Sequence, residues 1–598
     1  MFSKLPIAAL LAVTAPNVQA QAVDEQPVVE VTSTRVAQTT DSGLADVTII
    51  TRAAIDASGA ADLVDLLRGT AGIDVAASGG VGAQASLYVR GTNSNHVLVL
   101  IDGIRTAAAG TGTVDWSQFP LDAIERIEIV RGPRAAYWGS GAIGGVIQIF
   151  TRRLDGPDAT VRYGSFADAA GSAGFGQWGR RGGFSVLAGL RHVTGFPNTT
   201  PDNFAYSPLD DGYRAKQAAA RAGYRFGGQL LSGTLFRNDA DVEFAGGTTH
   251  TVNQTAGITL DGEVVDGWTS RIGIGDNRSD LRTVAYDSVY RSHRNDLAWQ
   301  NTIDIVPGQA IVAGFDFVTE RGANTNISGA TVQYDHRRHD TGMFVGWNGH
   351  HAGFDWELAE RHDRNSQFGG ASTASAAAAL KVGSGWRVTA SIGQGFRAPA
   401  MNELYSPGYG GYYAGNPRLQ PERSRSAEAG VEWQPATNAT IRVTAYHTDV
   451  DDLITFTGPL NEAENTARAR IDGTELTGEW HAGSWTLHGS ATLQRPRDAA
   501  TGADLLRRPR RKAGFELSRE LGGRAQAGVE WIVQGPSQDI GGPLGGFALL
   551  GATLNIRVSS AWSLHLRAEN LADRNYTVVQ GFATQGRSAW ITLAWQPR

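Results

Sequence analysis

The sequence predicts an all-β protein in two parts, a compact β-rich unit followed by a long barrel-like tract. Between Leu87 and Arg153 apolar residues come in short bursts that end at Arg-Gly pairs or glycine clusters, as at Arg90-Gly91 and Gly139–Gly145, with none of the long period of an amphipathic helix. From about Pro157 onward the pattern becomes repeated alternation, as in Ile441–Tyr446, Trp562–Ala568 and Trp590–Trp595. Alternate residues of a strand point to opposite faces, so such runs can set one face against lipid and the other against water. Beyond the first twenty residues no run reaches the ~20 consecutive apolar residues that a membrane-crossing helix needs.

Composition fits this reading. Charged residues are 19% and hydrophobic residues 41% of 598, and the mean hydropathy is -0.23. A transmembrane barrel hides its apolar half by alternation and so keeps a low average, although a soluble β-protein has a similar value. Glycine, at 75 residues, is well above the ~7% average, and 15 Trp, 15 Tyr and 21 Phe add an aromatic load. There is no cysteine, which excludes disulfides and thiol chemistry. The net charge of -6 comes with no basic stripe, so nucleic acid is not an expected partner.

The elements follow in order. Residues 1–20 read as a signal peptide, with Lys4 as the positive region, Leu5–Ala15 as the apolar core and Val18-Gln19-Ala20 as the cleavage site. Residues 21–35 form a mobile N-terminal segment that carries the β-prone run Pro27-Val28-Val29-Glu30-Val31-Thr32-Ser33. That run suits strand addition to a partner's sheet, or it is the ordinary first strand of the next domain. Asp56–Leu67 reads as one short helix with Leu63, Leu66 and Leu67 on one face, stopped by Gly69 and Gly72. Residues 36–156 form the first domain and 157–598 the second. The second accommodates roughly 22 strands at ~10 residues per crossing plus connections. Turn signals such as Gly182-Gly183, Gly246-Gly247 and Gly410-Gly411 recur through it. A soluble array of β-sandwiches would need domain boundaries, and none is evident.

Several segments resemble one family: Val89–Arg105, Asp115–Ile149, Asn416–Trp433, Ala467–Trp480 and Glu569–Arg587. On their Arg-Gly and Ile101-Asp102-Gly103 motifs the chain resembles the TonB-dependent outer-membrane transporters. Within that family, the run Asn95–Leu100 and the short strand spacing are most similar to the cobalamin branch. The resemblance implies a 22-stranded antiparallel transmembrane β-barrel with an N-terminal plug domain inside it, located in the bacterial outer membrane among its lipids. It implies a monomer that performs active transport and no enzymatic chemistry. It makes Pro27–Ser33 the TonB box, the contact for TonB and its ExbB–ExbD motor.

The implied cargo is a cobalamin or related corrinoid; a siderophore or other metal chelate is the alternative, and a passive porin a weaker one. Implied substrate contacts lie on a first plug loop, Ala77–Ser86, with Ser78, Gln84 and Ser86, and on a second, Thr106–Ser117, with Thr106 and Trp116. Both could equally be solvated loops without contacts. Tyr405, Tyr409, Tyr412 and Tyr413 belong to a glycine-rich aromatic loop that would meet the ligand or join the aromatic girdle. No cofactor is required, but the resemblance implies a structural calcium, for which Asp202, Asp210, Asp211, Asp239, Asp241 and Glu243 are candidates; solvated loop charges are the plainer reading.

Two other motifs are set aside. Gly139–Gly144 satisfies G-x-G-x-x-G, but the strand-like Val146–Ile149 follows where a nucleotide site needs a helix. Phe396-Arg397-Ala398-Pro399 and Asn416-Pro417-Arg418-Leu419 resemble the boxes of haem receptors, yet 400–415 contains no histidine to ligate iron. The family usually ends on an aromatic residue, whereas Trp595 is followed here by Gln596-Pro597-Arg598.

Overall fold

The computed structural model describes residues 29–30, 35, 38–39, 43–408, 413–457 and 460–597, with backbone alone at 29–30, 38–39 and 466–467. The leader 1–20, Pro27, Val28, Val31, Thr32, Ser33, Tyr409 and Tyr412 lie outside the described residues.

Twenty-two antiparallel strands form a closed barrel, as the alternation and the length predict. The first, Gly156–Gly164, pairs with the last, Ser588–Trp595, in a register running from Ala159 opposite Trp595 to Gly164 opposite Trp590, which leaves no open edge. The polarity is inside-out. On strand Phe354–Asn365, Phe354 and Leu358 stand 42% and 44% exposed on the outer wall, while Asp355, Glu357, Arg361 and Asp363 are buried inside. The same alternation leaves Val161, Leu190, Ile258, Ile274 and Ile392 exposed around the circumference. A continuous apolar belt of this kind is stable only against lipid.

The interior is filled by a plug built from β3 (Val47–Thr51), β4 (Ile73–Ala77), β5 (Ala85–Val89), β6 (Val97–Ile101), β7 (Ile104–Arg105), β8 (Ile124–Arg131) and β9 (Gly145–Thr151). Five of them make a sheet in the order β3-β8-β9-β6-β7, with β6 and β9 parallel, and β4 and β5 form a separate hairpin. The segment after the glycine-rich turn is therefore strand β9. Ahead of the plug, β1 (Val29–Glu30) pairs antiparallel with β2 (Gln38–Thr39).

One expectation is corrected. The stretch read as a single helix is two, α1 (Arg52–Ser58) and α2 (Leu63–Arg68). Gly59 takes φ +59, a left-handed conformation that ends α1, and the Asp62 carboxylate accepts the Asp65 N–H at 2.9 Å to start α2. Leu63 and Leu67 remain on the buried face, beside Ile73, Trp116 and Ile127. Each such buried aliphatic side chain contributes about 1.5–3 kcal/mol relative to exposure.

The two ends of the barrel differ. At one end strands join through tight turns such as 180–181, 227–228 and 307–308; at the other they join through 197–210, 398–421, 535–546 and 570–587. Short turns mark the periplasmic end and longer loops the extracellular end. A short helix, α3 (Ala135–Trp138), lies in the plug, and α4 (Met401–Tyr405) lies in the long extracellular loop.

Candidate functional site

The site is the extracellular face of the plug together with the loops that fold onto it. Between β4 and β5 the loop 78–84 is held by the barrel wall: the Gly80 N–H donates to Asn198 Oδ1 at 2.8 Å, and Val81 packs on Val193 and Tyr213. Gly82 (φ +84) lies so close to the Tyr213 ring that a side chain there would collide with it. After β7 the loop 106–115 is threaded by barrel groups. Arg294 donates to Ala107 O at 2.9 Å, and the Gly110 N–H donates to Ser292 Oγ at 3.1 Å.

Helix α4 covers that second loop. The Met401 and Asn402 N–H groups donate to Ala109 O and Gly110 O at 3.1 and 2.9 Å, and Met401 and Leu404 are fully buried. Two carboxylates unite plug, strand end and helix. Glu403 accepts from Arg397 at 2.8 and 3.0 Å and from Asn95 at 3.1 Å; Glu422 lies 3.0 Å from His96 Nε2 and also pairs with Arg397. The two haem-box look-alikes thus have a structural task here, since Arg397 anchors one end of the loop and buried Leu419 packs on Leu404 at the other.

Above this floor stands an aromatic wall. Tyr405 stacks on His336 with ring centroids 3.8 Å apart, and Tyr334 lies 6.0 Å from Tyr405. Gln367 donates to the Tyr405 hydroxyl at 2.6 Å, and the Tyr334 hydroxyl donates to Asn402. His336 is exposed to the mouth and Tyr405 half-exposed, so flat faces are offered to a ligand.

Deeper in, the plug is tied to the wall by charge. Arg90 reaches Asp46 at 2.6 Å, Glu475 at 2.9 Å and Glu428 at 3.0 Å; Arg131 reaches Asp46 at 3.2 Å and donates to Ala71 O at 2.9 Å. Arg442 of the wall also contacts Asp46, at 3.4 Å. Burial opposes the Asp46 charge, but Arg131, Arg90 and Arg442 outweigh it and hold its carboxyl well below the usual carboxylate range. Two residues beyond the Pro27–Ser33 run, Arg35 forks onto Asp316 at 2.9 and 2.6 Å, lies over Trp138 at 4.4 Å and accepts from Gln300 through its carbonyl at 2.9 Å.

The expected contacts divide. Gln84 is exposed, Ser78, Ser86 and Tyr405 are half-buried at the mouth, and Tyr413 is exposed beside Phe456. Trp116 and Thr106 do not face a ligand. Trp116 is 0% exposed against Phe119 in the plug core, because a bulky apolar ring on a short loop is drawn inward. Thr106 is buried at the plug–barrel seam, 3.0 Å from Thr255 Oγ1, and accepts from Asn277 at 3.1 Å.

The acidic set does not fit calcium. Among the described residues no group of three or more His, Asp or Glu is placed to hold a metal. Asp211 is buried and accepts the Asn198 N–H at 2.9 Å, and Asp202 accepts from Thr200. Asp239 and Asp241 pair with His250 across neighbouring strands, with Asp239 also 3.0 Å from Arg237. Asp210 is an exposed loop charge, and Glu243 accepts the Gly212 N–H at 3.1 Å.

The sequence reading missed His336, Tyr334, Arg35 and the carboxylates Glu403, Glu428 and Glu475. Only Arg90 and Arg131, in their Arg-Gly pairs, carried a local signal; their wall partners Glu428 and Glu475 sit hundreds of residues away.

Residues 154–571 match the family described as TonB dependent receptor-like, beta-barrel, and residues 40–146 match the TonB-dependent Receptor Plug Domain. Among solved structures, the chain is similar to the siderophore receptor PirA from Acinetobacter baumannii (TM-score 0.77, 16% identity, 92% of this chain and 98% of that one). It is also similar to a ferric enterobactin receptor from Pseudomonas aeruginosa (0.77, 18%, 92% and 99%) and to the copper transporter OprC (0.77, 16%, 93% and 99%). At such identities these likenesses speak for the fold. With the closed 22-stranded barrel, the plug inside it and both family matches, the chain belongs to the TonB-dependent receptors, plugged outer-membrane barrels that act in transport.

Proposed function

We propose that the protein imports a bulky metal chelate, bound on the plug's extracellular loops against the Tyr334–His336–Tyr405 wall and released inward when force on Pro27–Ser33 rearranges the plug. The carrying observation is the seam between plug and barrel. Three of its cavities measure about 70, 50 and 60 Å³, room for a few waters each, while a wider one of about 620 Å³ lies beside Leu44, lined by Gly267 and Gly308 of the tight turns and by Glu357. The narrow gaps elsewhere along the seam support a resting plug that blocks a bulky ligand, which argues against a passive porin.

Within the chelate class, the named ligands of the similar structures favour a siderophore-type cargo, since one is a siderophore receptor and another a ferric enterobactin receptor. A second reading, a corrinoid, draws support from the sequence resemblance and from one feature of the floor. Arg294, Arg338 and Arg397 are neutralised by Glu320, Glu403 and Glu422, so recognition there falls to aromatic faces and backbone amides rather than to bare cations. That arrangement suits a chelate of low net charge.

Equilibrium binding of cyanocobalamin and of a panel of ferric siderophores to the purified protein, with and without calcium, decides between them. Saturable binding of one class assigns the cargo. Binding of neither class would overturn the chelate reading. Calcium dependence would show that the Asp202–Asp211 and Asp239–Glu243 segments rearrange from the pairings described here.

A further inference from the structure

The outer wall carries a feature that transport does not use. Strand Gly369–Lys381 presents Ser372, Ala374, Ala376 and Ala378 to the lipid side, while its neighbours present larger groups. Register sets Trp347 beside Leu358, Leu358 beside Ala376, and Ala376 beside Ile392. The small side chains are thus the floor of a groove of about 630 Å³, walled by Trp347 and Leu358 on one side and Ile392 on the other.

One row nearer the extracellular end the surface turns polar on three of the strands, while Val345 and Ala374 in that row remain apolar. Leu358 gives way to Glu360, Ile392 to Gln394 and Ala427 to Arg425, which marks the plane where hydrocarbon meets headgroups. Above that plane Arg425 and Arg423 stand on one flank of the groove and Arg364 on the other, all three exposed. No carboxylate among the described residues pairs with them. Their cross-strand neighbours Asp449 and Asp451 are held by Arg470 at 3.0 Å and Arg468 at 2.7 Å. Glu360 is three strands from Arg425, about 14 Å at the usual strand spacing, and so does not neutralise it.

An apolar groove that ends in unpaired guanidiniums at the headgroup plane is complementary to one kind of occupant. We infer that this face binds one anionic lipid of the outer leaflet, its acyl chain laid over Ala374 and Ala376 and its headgroup phosphate held by Arg423 and Arg425, with Arg364 opposite. Arginine suits that role because its planar fork can give two hydrogen bonds to one phosphate. The site is separate from the transport pathway, so its loss need not alter cargo binding.

The test is native mass spectrometry of the full chain in detergent, titrated with purified lipid A as the phosphate-bearing lipid and with phosphatidylethanolamine as the comparison. The wild type should retain one lipid A and prefer it to phosphatidylethanolamine. Arg423→Gln with Arg425→Gln should weaken retention at least tenfold, and Ala376→Trp should block it by filling the groove. Arg282→Gln, a cation on a distant outward position, should leave retention unchanged. Unaltered retention in the double arginine variant would overturn the assignment. An equal loss in Arg282→Gln, or equal retention of phosphatidylethanolamine, would reduce the site to general surface attraction and overturn it as well. If Ala376→Trp does not fold, the arginine variants still decide.

Discussion

Asp46 sits where three guanidiniums converge, Arg90 and Arg131 of the plug and Arg442 of the wall. Removing one partner of a buried ion pair leaves the others uncompensated and costs roughly 3–5 kcal/mol. Asp46→Asn is therefore expected to lower the stability of plug opening by about 3 kcal/mol, read as a fall in the urea midpoint of the plug. The sign of the pH dependence follows from the direction of its shift. Folding holds the Asp46 carboxyl below its usual value, so the stabilisation is complete above the ordinary carboxylate range and is lost as pH falls through the lower folded value. The wild-type midpoint should stay flat from neutral pH to about 5 and fall in stronger acid, and Asp46→Asn should lessen that fall. At the mouth, Tyr405→Ala removes the ring that stacks on His336 and should weaken ligand binding about tenfold, with the barrel unchanged by circular dichroism.

At the scale of elements, the proposed handle is the Pro27–Ser33 run, of which Val29–Glu30 forms β1. That strand pairs with β2, and Arg35 between the two strands forks onto Asp316 of the wall, so a pull on it would load these two contacts first. Strand addition to a partner requires free backbone N–H groups, which proline removes. Proline at Val29 or Val31 should abolish energised uptake and leave equilibrium binding intact; unchanged uptake would dissociate this segment from coupling. The elements also show how far a sequence can be read. Barrel strands such as those that contain Ile441–Tyr446 and Trp590–Trp595 were legible because lipid on one side and water on the other impose a strict period of two. The break between α1 and α2 was not, because it depends on Gly59 turning left-handed under tertiary constraint. Loop residues were legible only by type. Tyr405 lies at the mouth, one of the two places open to its loop, whereas Trp116 and Thr106 do not, since burial against Phe119 and Thr255 is a property of the assembled fold. His336 was invisible, as its meaning comes from a strand that only the closed barrel brings beside Tyr405.

For the whole molecule, the contact between plug and wall mixes small apolar clusters, such as Ile143 with Val450 and Leu453, with many polar ties. Arg90, Arg131, Arg35, Thr106 and Asp102 all make hydrogen bonds or ion pairs to the barrel, and Asp102 alone accepts from Thr234 at 2.6 Å. Hydrogen bonds exchange for water at a net cost of about 0.5–1.5 kcal/mol each, so a plug held this way can be moved and can return. An apolar seam of the same area would resist separation and would expose sticky surface once opened. The central claim is thus that cargo binding needs only the resting plug, while transport needs the plug to move. Because the chain has no cysteine, Thr106→Cys with Thr255→Cys places one disulfide across the seam, at hydroxyls now 3.0 Å apart. The deciding measurement is uptake by cells of the ligand that the binding titration identifies, with this pair oxidised and then reduced. The account predicts full binding without uptake in the oxidised protein and uptake restored by reductant; uptake that proceeds unchanged with the disulfide closed would contradict it.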